Sequence, residues 1–368
     1  MKNKKNKTHE PLFHISKRTD ISISRGIVIR IVAILAALIV CGIVTKVFTG
    51  DDPVSIFKTI YLGAFGSGRT LVTIHEIAIL LCVSLAVTPA FRMKFWNTGA
   101  EGQVLIGCLS TAMCMFYLGG KIPDGVLILI MAIFAIVSGI IWAVIPAFFK
   151  AHWGTNETLF TLMLNYVAIQ LIEFFLKVAD KTGSNVVGPD LLTHGWFPKL
   201  FGTNYLLNIL IVAVLTAVLY IYLNYSKHGY EISVVGESEN TAKYIGINVK
   251  KVIIRTMAVS GAICGIAGLL LVGGASHSID ANLAGGRGFT AIMVSWLAKF
   301  NPVTMILTSL LIVFLERGAD EVASKFGLNA DFSAILTGII LFFIIGCEFF
   351  INYKINFNHS KNNKKEEK

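Results

Sequence analysis

Three patches of this chain carry polar side chains at spacings that could do chemistry. In the first, Asn97-Thr-Gly-Ala-Glu-Gly-Gln103, the polar groups Asn97, Glu101 and Gln103 stand with two glycines at the edge of an apolar run. Amide and carboxylate groups so placed could hydrogen-bond a polar solute. A carboxylate within a membrane is costly unless it is paired or meets water. Gly99 and Gly102 allow a bent backbone, which is tolerated at membrane depth only inside protein or beside an aqueous cavity. Spacing leaves two readings open: a broken helix lining a path, or a cytoplasmic turn after Arg92 and Lys94.

The second patch is Thr158, Thr161 and Asn165, which fall on one face of an apolar helical segment. Such a stripe belongs against other helices or along a pore rather than toward lipid. Hydrogen bonding between helices and solute contact are both compatible with it. On the same segment Glu173 and Lys177 are four residues apart, which reads as an internal ion pair. His75-Glu76 raises the idea of a proton relay, but with no second acidic partner apparent it reads as an interfacial pair. Nothing resembles a nucleophile beside a base, a metal triad or paired carboxylates, which argues against an intramembrane enzyme. The Gly-rich run 285–288, Gly-Gly-Arg-Gly, reads as a tight turn at the membrane surface. The six cysteines are scattered through apolar segments without metal or disulfide spacing.

The third patch is the polar loop 228–248. Ser238 suits a helix N-cap, Glu239 the positive end of a short helix and Lys243 its negative end. Gly246 can take the left-handed conformation that closes it. The predicted helix covers 238–245, and the three-residue spacing of Ala242 and Ile245 puts them on one face. Two turns are marginal alone, because nucleation is costly. Docking against a partner would give such a helix a purpose; a solvated connector is the alternative.

The elements that must position these patches are membrane helices. Only 15% of the 368 residues are charged and 55% are hydrophobic. Soluble domains carry about 25% charged residues, so a soluble globular class is excluded. Apolar runs near the roughly 18 residues needed to cross a bilayer cover 27–48, 71–91, 126–149, 159–178, 205–225, 252–273 and 332–353. Residues 104–118 form a shorter run. Segments 289–300 and 303–315 are each short, and read as two tight spans or one re-entrant hairpin. The expected fold is an all-α polytopic membrane helix bundle of about ten transmembrane helices, some short or broken. Ala258, Gly261, Gly265 and Gly268 form a small-residue stripe suited to close helix packing.

The net charge of +10 is distributed in alternate connections: 2–30, Arg92 and Lys94, Lys150, 227–255, Lys299 and 354–368. That is a positive-inside pattern, not a nucleic-acid surface. It predicts both termini and the loop 226–251 in the cytoplasm, with 50–70, 119–125, 179–204, 274–287 and 316–331 outside. The basic lead 1–26 precedes a signal-anchor span rather than a cleaved signal. Residues 27–353 form the expected membrane domain, and 354–368 a disordered tail. No GxxxxGK[ST] loop is present, so ATP is not used by that route.

Four segments together bear a family resemblance. Asn97–Gln103 resembles the N-x-G-x-E-G-Q signature of bacterial ABC-transporter permeases of the branched-chain amino acid and monosaccharide superfamily. The nucleoside-type, simple-sugar-like branch is the most similar. Residues 156–167 (Asn-Glu-Thr-Leu-Phe-Thr-Leu-Met-Leu-Asn-Tyr-Val) resemble its N-E-x-x-x-T-I-M-L-N-Y stretch. The loop 228–248 is similar to its G-Y-E-x-R-A-V-G-x-N-x-x-A-A-x-Y-x-G-I segment, and 288–292 to G-F-x-x-I-A. Departures are Thr98 for an aliphatic residue, Ser233 for Arg, Thr241 for Ala and the run 295–299.

The resemblance implies a permease for nucleosides in the cell membrane, not itself an enzyme and without a cofactor. It implies an ATPase subunit, a second permease (a heterodimer being usual in that branch) and an extracellular solute-binding protein as partners. Helix 238–245 then resembles the coupling helix, with Gly236, Glu237, Ser238, Ala242, Tyr244, Ile245 and Gly246 as its contact region. Asn97, Glu101, Gln103, Thr158, Thr161 and Asn165 are the candidates for the solute pathway. A monosaccharide such as ribose or galactose is the alternative substrate. A secondary transporter or channel would need ion-coupled buried charges and inverted repeats, and no convincing repeat is evident.

Overall fold

A computed structural model describes residues 13–18, 22–50, 53–66, 68–180 and 185–357. The chain begins with strand β1 (Phe13–Lys17), the long helix α1 (Ile23–Thr49) and the shorter α2 (Pro53–Phe65). Four long helices follow: α3 (Thr70–Arg92), α4 (Ala100–Leu118), α5 (Asp124–Trp153) and α6 (Glu157–Ala179). Strand β2 (Val186–Val187) precedes α7 (Leu206–Tyr225), α8 (Lys227–Glu237) and α9 (Glu239–Tyr244). Helix α10 (Val249–Leu271) ends in a single π turn, Val272–Ser276, before β3 (Ile279–Asp280). The chain closes with α11 (Arg287–Leu297), α12 (Pro302–Lys325), α13 (Ala330–Asn352) and β4 (Tyr353–Phe357). Among the described residues nine helices are long and apolar enough to cross a membrane. The polytopic helical bundle expected from the sequence is the observed fold.

The tenth expected crossing is α11. Its 11 residues span about 16 Å at 1.5 Å per residue, roughly half of a bilayer's apolar core. Helix α12, in contrast, has 24 residues and continues well past the predicted end at 315. Much of the connection expected at 316–331 is therefore helix. Charge ended the apolar run on paper, but Arg317 reaches Glu76 at 3.1 Å and the Asp320 carboxylate accepts from the Ser333 hydroxyl. Paired charges do not stop a helix.

The chain packs as two compact units. In the larger, Tyr61–Gly318, α10 is the central element and packs on α3, α4 and α5. Its small-residue stripe makes this possible, as a Cβ on Gly265 would lie 2.1 Å from the Ala135 carbonyl and one on Gly268 2.5 Å from the Cys108 amide. Backbones that close can be reached only without side chains.

Sequence reading missed α8. Its glycines and β-branched residues favour helix poorly, and burial overrides that preference. Gly229, Ile232, Val235 and Gly236 form the inward face, with Gly236 against the Arg92 carbonyl, 2.2 Å from where a Cβ would sit. Their spacing of three and four was the available signal. Arg255 of α10 holds Glu231 of α8 at 2.8 Å, and this hydrogen bond sets the Glu231 carboxyl below its ordinary range. A carboxyl lowered by folding stabilises the fold above its unfolded pKa and stops doing so as pH falls through the folded value. The thermal midpoint difference between the parent and Glu231→Gln is therefore expected to be largest near neutral pH and to vanish in acid. A difference unchanged between pH 7 and pH 3 would contradict the pairing.

In the smaller unit, Met1–Ile60 with Ala319–Lys368, α1 packs along α13 and Arg30 pairs with Glu348 at 2.6 Å. β1 and β4 form an antiparallel ribbon, Phe13 opposite Phe357 and Lys17 opposite Tyr353. The first residues of the predicted disordered tail, 354–357, are thus in a strand. Backbone pairing with β1 satisfies groups that a lone polar tail would leave to water. The remainder of that tail, and most of the basic lead, lie outside the described residues.

Candidate functional site

The site is built where two helices begin inside the larger unit. After α3 ends, the chain turns through 93–99, and α4 starts beside the middle of α10 rather than at its end. The Asn97 amide donates to Ser260 Oγ at 3.4 Å, and farther on Cys108 Sγ approaches the Gly268 carbonyl. The patch is a turn after Arg92 and Lys94 that joins two separate helices, α3 and α4, and it lies in the interior beside α10. Helix α11 also starts at this level, with Gly285 and Gly286 at φ +60 and +75 turning the chain into it. It runs beside α3, Ser295 Oγ donating to the Ser84 carbonyl at 2.9 Å. The helices end alike, with Lys94 and Lys299 in left-handed conformation (φ 61 and 51) and Trp96 and Trp296 in contact, 5.7 Å between centroids.

Glu101 joins these two starts. Its carboxylate accepts from the backbone amides of Gly286, 2.7 Å away, and Gly288, 2.6 Å away. An anion at a helix N-terminus meets unsatisfied donors and the positive end of the dipole. The 285–288 run read as a surface turn is thus a carboxylate cradle, and a Cβ at Gly288 would lie 2.4 Å from the Glu101 amide nitrogen. Asn97 Oδ1 accepts from Gly99 N at 3.1 Å and from the Gln103 side chain at 3.2 Å.

Helix α6 braces the same turn. It begins cleanly because Gly154 ends α5 in left-handed conformation and the Asn156 side chain caps the Leu159 amide. Asn165 Oδ1 accepts from Gly102 N and its Nδ2 donates to the Thr98 carbonyl, both at 2.9 Å. Thr98 and Thr161 hydroxyls lie 3.0 Å apart, so the departure at Thr98 gains a partner. Thr158 contributes its carbonyl, which accepts from Thr98 Oγ1 at 3.0 Å. The structure therefore brings together Asn97, Glu101, Gln103, Thr161 and Asn165, all buried. Their polar groups are turned onto backbone and onto one another.

The charges nearby were not foreseen. Glu76 of α3 is held by Arg287 and by Arg317. His75 is buried, with its Nε2 3.0 Å from the Asn208 amide and its ring against Tyr205. His75 and Glu76 thus point to different partners, the histidine to Asn208 and the half-buried carboxylate to two arginines. The arginines lie so far along the chain that local spacing held no trace of them.

At the other end, Ser226, Ser238 and Asn248 each cap the helix that follows them. Ser238 accepts from the Thr241 amide at 3.2 Å and Gly246 has φ +85, as the loop reading required. Orientation is where that reading fails. Ala242 is fully buried, whereas Ile245 is 50% and Tyr244 92% exposed. α9 ends at Tyr244, so Ile245 has left the helix and shares no face with Ala242. Gly236 is also buried, whereas Glu237 and Gly246 are exposed and Ser238 half-buried.

With nine helices among the described residues long and apolar enough to cross a membrane, the bundle is that of a polytopic membrane protein. The chain belongs to the family described as the permease component of the branched-chain amino acid transport system, whose family model matches residues 70–345. It is 27% identical to a glucose ABC transporter permease, TsgB13 of Haloferax volcanii, over 88% of each chain. It is 27% identical to the guanosine ABC transporter permease NupP of Bacillus subtilis, covering 92% of this chain and 97% of that one. The nucleoside ABC transporter permease NupB of Lactococcus lactis is 25% identical over 87% of this chain and 91% of its own. As a permease subunit this multi-pass membrane protein is not itself an enzyme, and it works with a partner ATPase.

Proposed function

We propose that this chain forms the translocation pathway of an ABC importer for nucleosides. The observation that carries the reading is the end-to-end likeness to permeases named for guanosine and nucleosides, joined to a buried site of uncharged amides and hydroxyls around one clamped carboxylate. Nucleosides present ribose hydroxyls and base edges, which such groups suit. The pathway wall is α4, α6 and α11, with Asn97, Glu101, Gln103, Thr158, Thr161 and Asn165 fixing the helix starts that border it. α9 docks on the ATPase through Tyr244 and Ile245, with Glu237, Ser238 and Gly246 setting its pose and Gly236 and Ala242 anchoring it from within. A second, different permease completes the pathway, and an extracellular binding protein delivers the solute. Both termini then face the cytoplasm of a bacterial cell.

The glucose permease likeness supports a sugar as the second reading. Uptake of labelled uridine by cells carrying the whole system separates the two. Competition by adenosine and none by ribose or glucose is the expected result. Competition by the sugars alone would replace nucleosides with a monosaccharide, and uptake that persists without ATP would remove the importer reading.

A further inference from the structure

The smaller unit contains a recess that the transport reading does not use. Along one side of α1 and α13, Val28, Val32 and Ala36 face Phe342, Gly346 and Phe350 across a cavity of about 480 Å³. A small residue on each helix helps to open it. Ala36 faces the recess from α1 and Gly346 from α13, and a Cβ at Gly346 would meet nothing within 4 Å. The lining is entirely apolar apart from the Cys347 thiol, so water has no partners there.

One end of the recess is cationic. Arg25 is exposed and precedes Val28 and Val32 at helical spacing, on the same face. Lys354 is exposed on β4, just past the end of α13 and opposite Ser16 of β1. The Arg18 backbone amide bonds the Asn352 carbonyl at the end of α13, which places its half-buried side chain at this end. Among the described residues the acidic group at this end is Glu348, already engaged by Arg30.

We propose that the recess is a binding site for an anionic phospholipid, one acyl chain lying between α1 and α13. The phosphate sits among Arg18, Arg25 and Lys354. A membrane helix as occupant would fill the apolar part but leave the three cations without a counter-charge, whereas an anionic lipid satisfies both halves. The site belongs to the leaflet on the side of the β1–β4 ribbon.

Native mass spectrometry of the assembled transporter, incubated with phosphatidylglycerol or phosphatidylcholine, tests this. The parent is expected to retain phosphatidylglycerol in preference to phosphatidylcholine. Arg25→Gln with Lys354→Gln removes two surface cations and lowers phosphatidylglycerol retention about thirtyfold, to the level of the neutral lipid. Gly346→Leu puts a side chain into the recess, from a position where its Cβ meets nothing within 4 Å, and lowers retention of both lipids. Uptake by the same variants in cells shows that they fold. Equal retention of the two lipids by the parent would overturn the anionic assignment. Retention unchanged in Gly346→Leu would overturn the recess as the acyl site, and a parent that holds neither lipid would overturn the proposal.

Discussion

Tyr244→Ala is expected to leave the permease folded in the membrane and to separate it from its ATPase. The ring is 92% exposed at the end of α9, so its removal leaves no cavity in this chain. Exposed aromatic side chains at the tip of a capped helix make the anchors that dominate interfaces. Truncating such an anchor costs about 2 kcal/mol or more, which weakens subunit affinity about thirtyfold. Import should fall with it, because the ATPase acts on this chain only through contact. Tyr244→Phe keeps the ring and should retain most of the coupling. Co-purification of the ATPase and import rates in reconstituted vesicles are the two measurements. If Tyr244→Ala carries a full complement of ATPase and imports normally, the docking role of α9 is wrong. Ala242 gives an instructive contrast. It is fully buried, so enlarging it distorts the seat of α9 in its own chain, and a loss of ATPase there would report folding as much as contact.

What the sequence made legible was mostly local. The Ser238 cap, the closing glycine at 246 and the shared face of Thr161 and Asn165 all depend on neighbours within a turn, and all are in the structure. The turn at 93–99 was half legible, since the spacing of its glycines left a turn and a broken helix equally open. Depth was not legible. Where α11 starts relative to α4 depends on Glu101 reaching Gly286 and Gly288, contacts between segments far apart in the chain. The same holds for Glu76, whose two arginine partners lie in α11 and α12. α8 failed for the opposite reason. Its local preference points away from helix, and the inward packing of Ile232 and Val235 decides the matter. Ala242 and Ile245 show the limit of spacing itself, because a six-residue helix ends before a shared face can form.

Glu101→Ala is expected to be the most damaging single substitution in the bundle. It leaves the half-buried Gly286 amide and the buried Gly288 amide without their acceptor at the N-terminus of α11. Hydrogen bonds to a charged group contribute about 1.5–3 kcal/mol each, so losing both costs about 3 kcal/mol or more. That is a large share of a margin of about 5–15 kcal/mol. Charge adds a smaller part, because Arg287 loses a nearby carboxylate but keeps Glu76 and is partly exposed. Glu101→Gln separates the two effects. It removes the charge yet keeps one carbonyl oxygen, so it should restore part of the thermal midpoint that Ala loses. Its import should recover less than its stability, because α4 and α11 are tied at their starts by two bonds and one bond lets them slip. Thermal midpoints in detergent and uptake in cells give the two readouts. An alanine variant with the parent's midpoint would mean that the carboxylate does not hold α11, and that the half-helix stands by its packing on α3 alone.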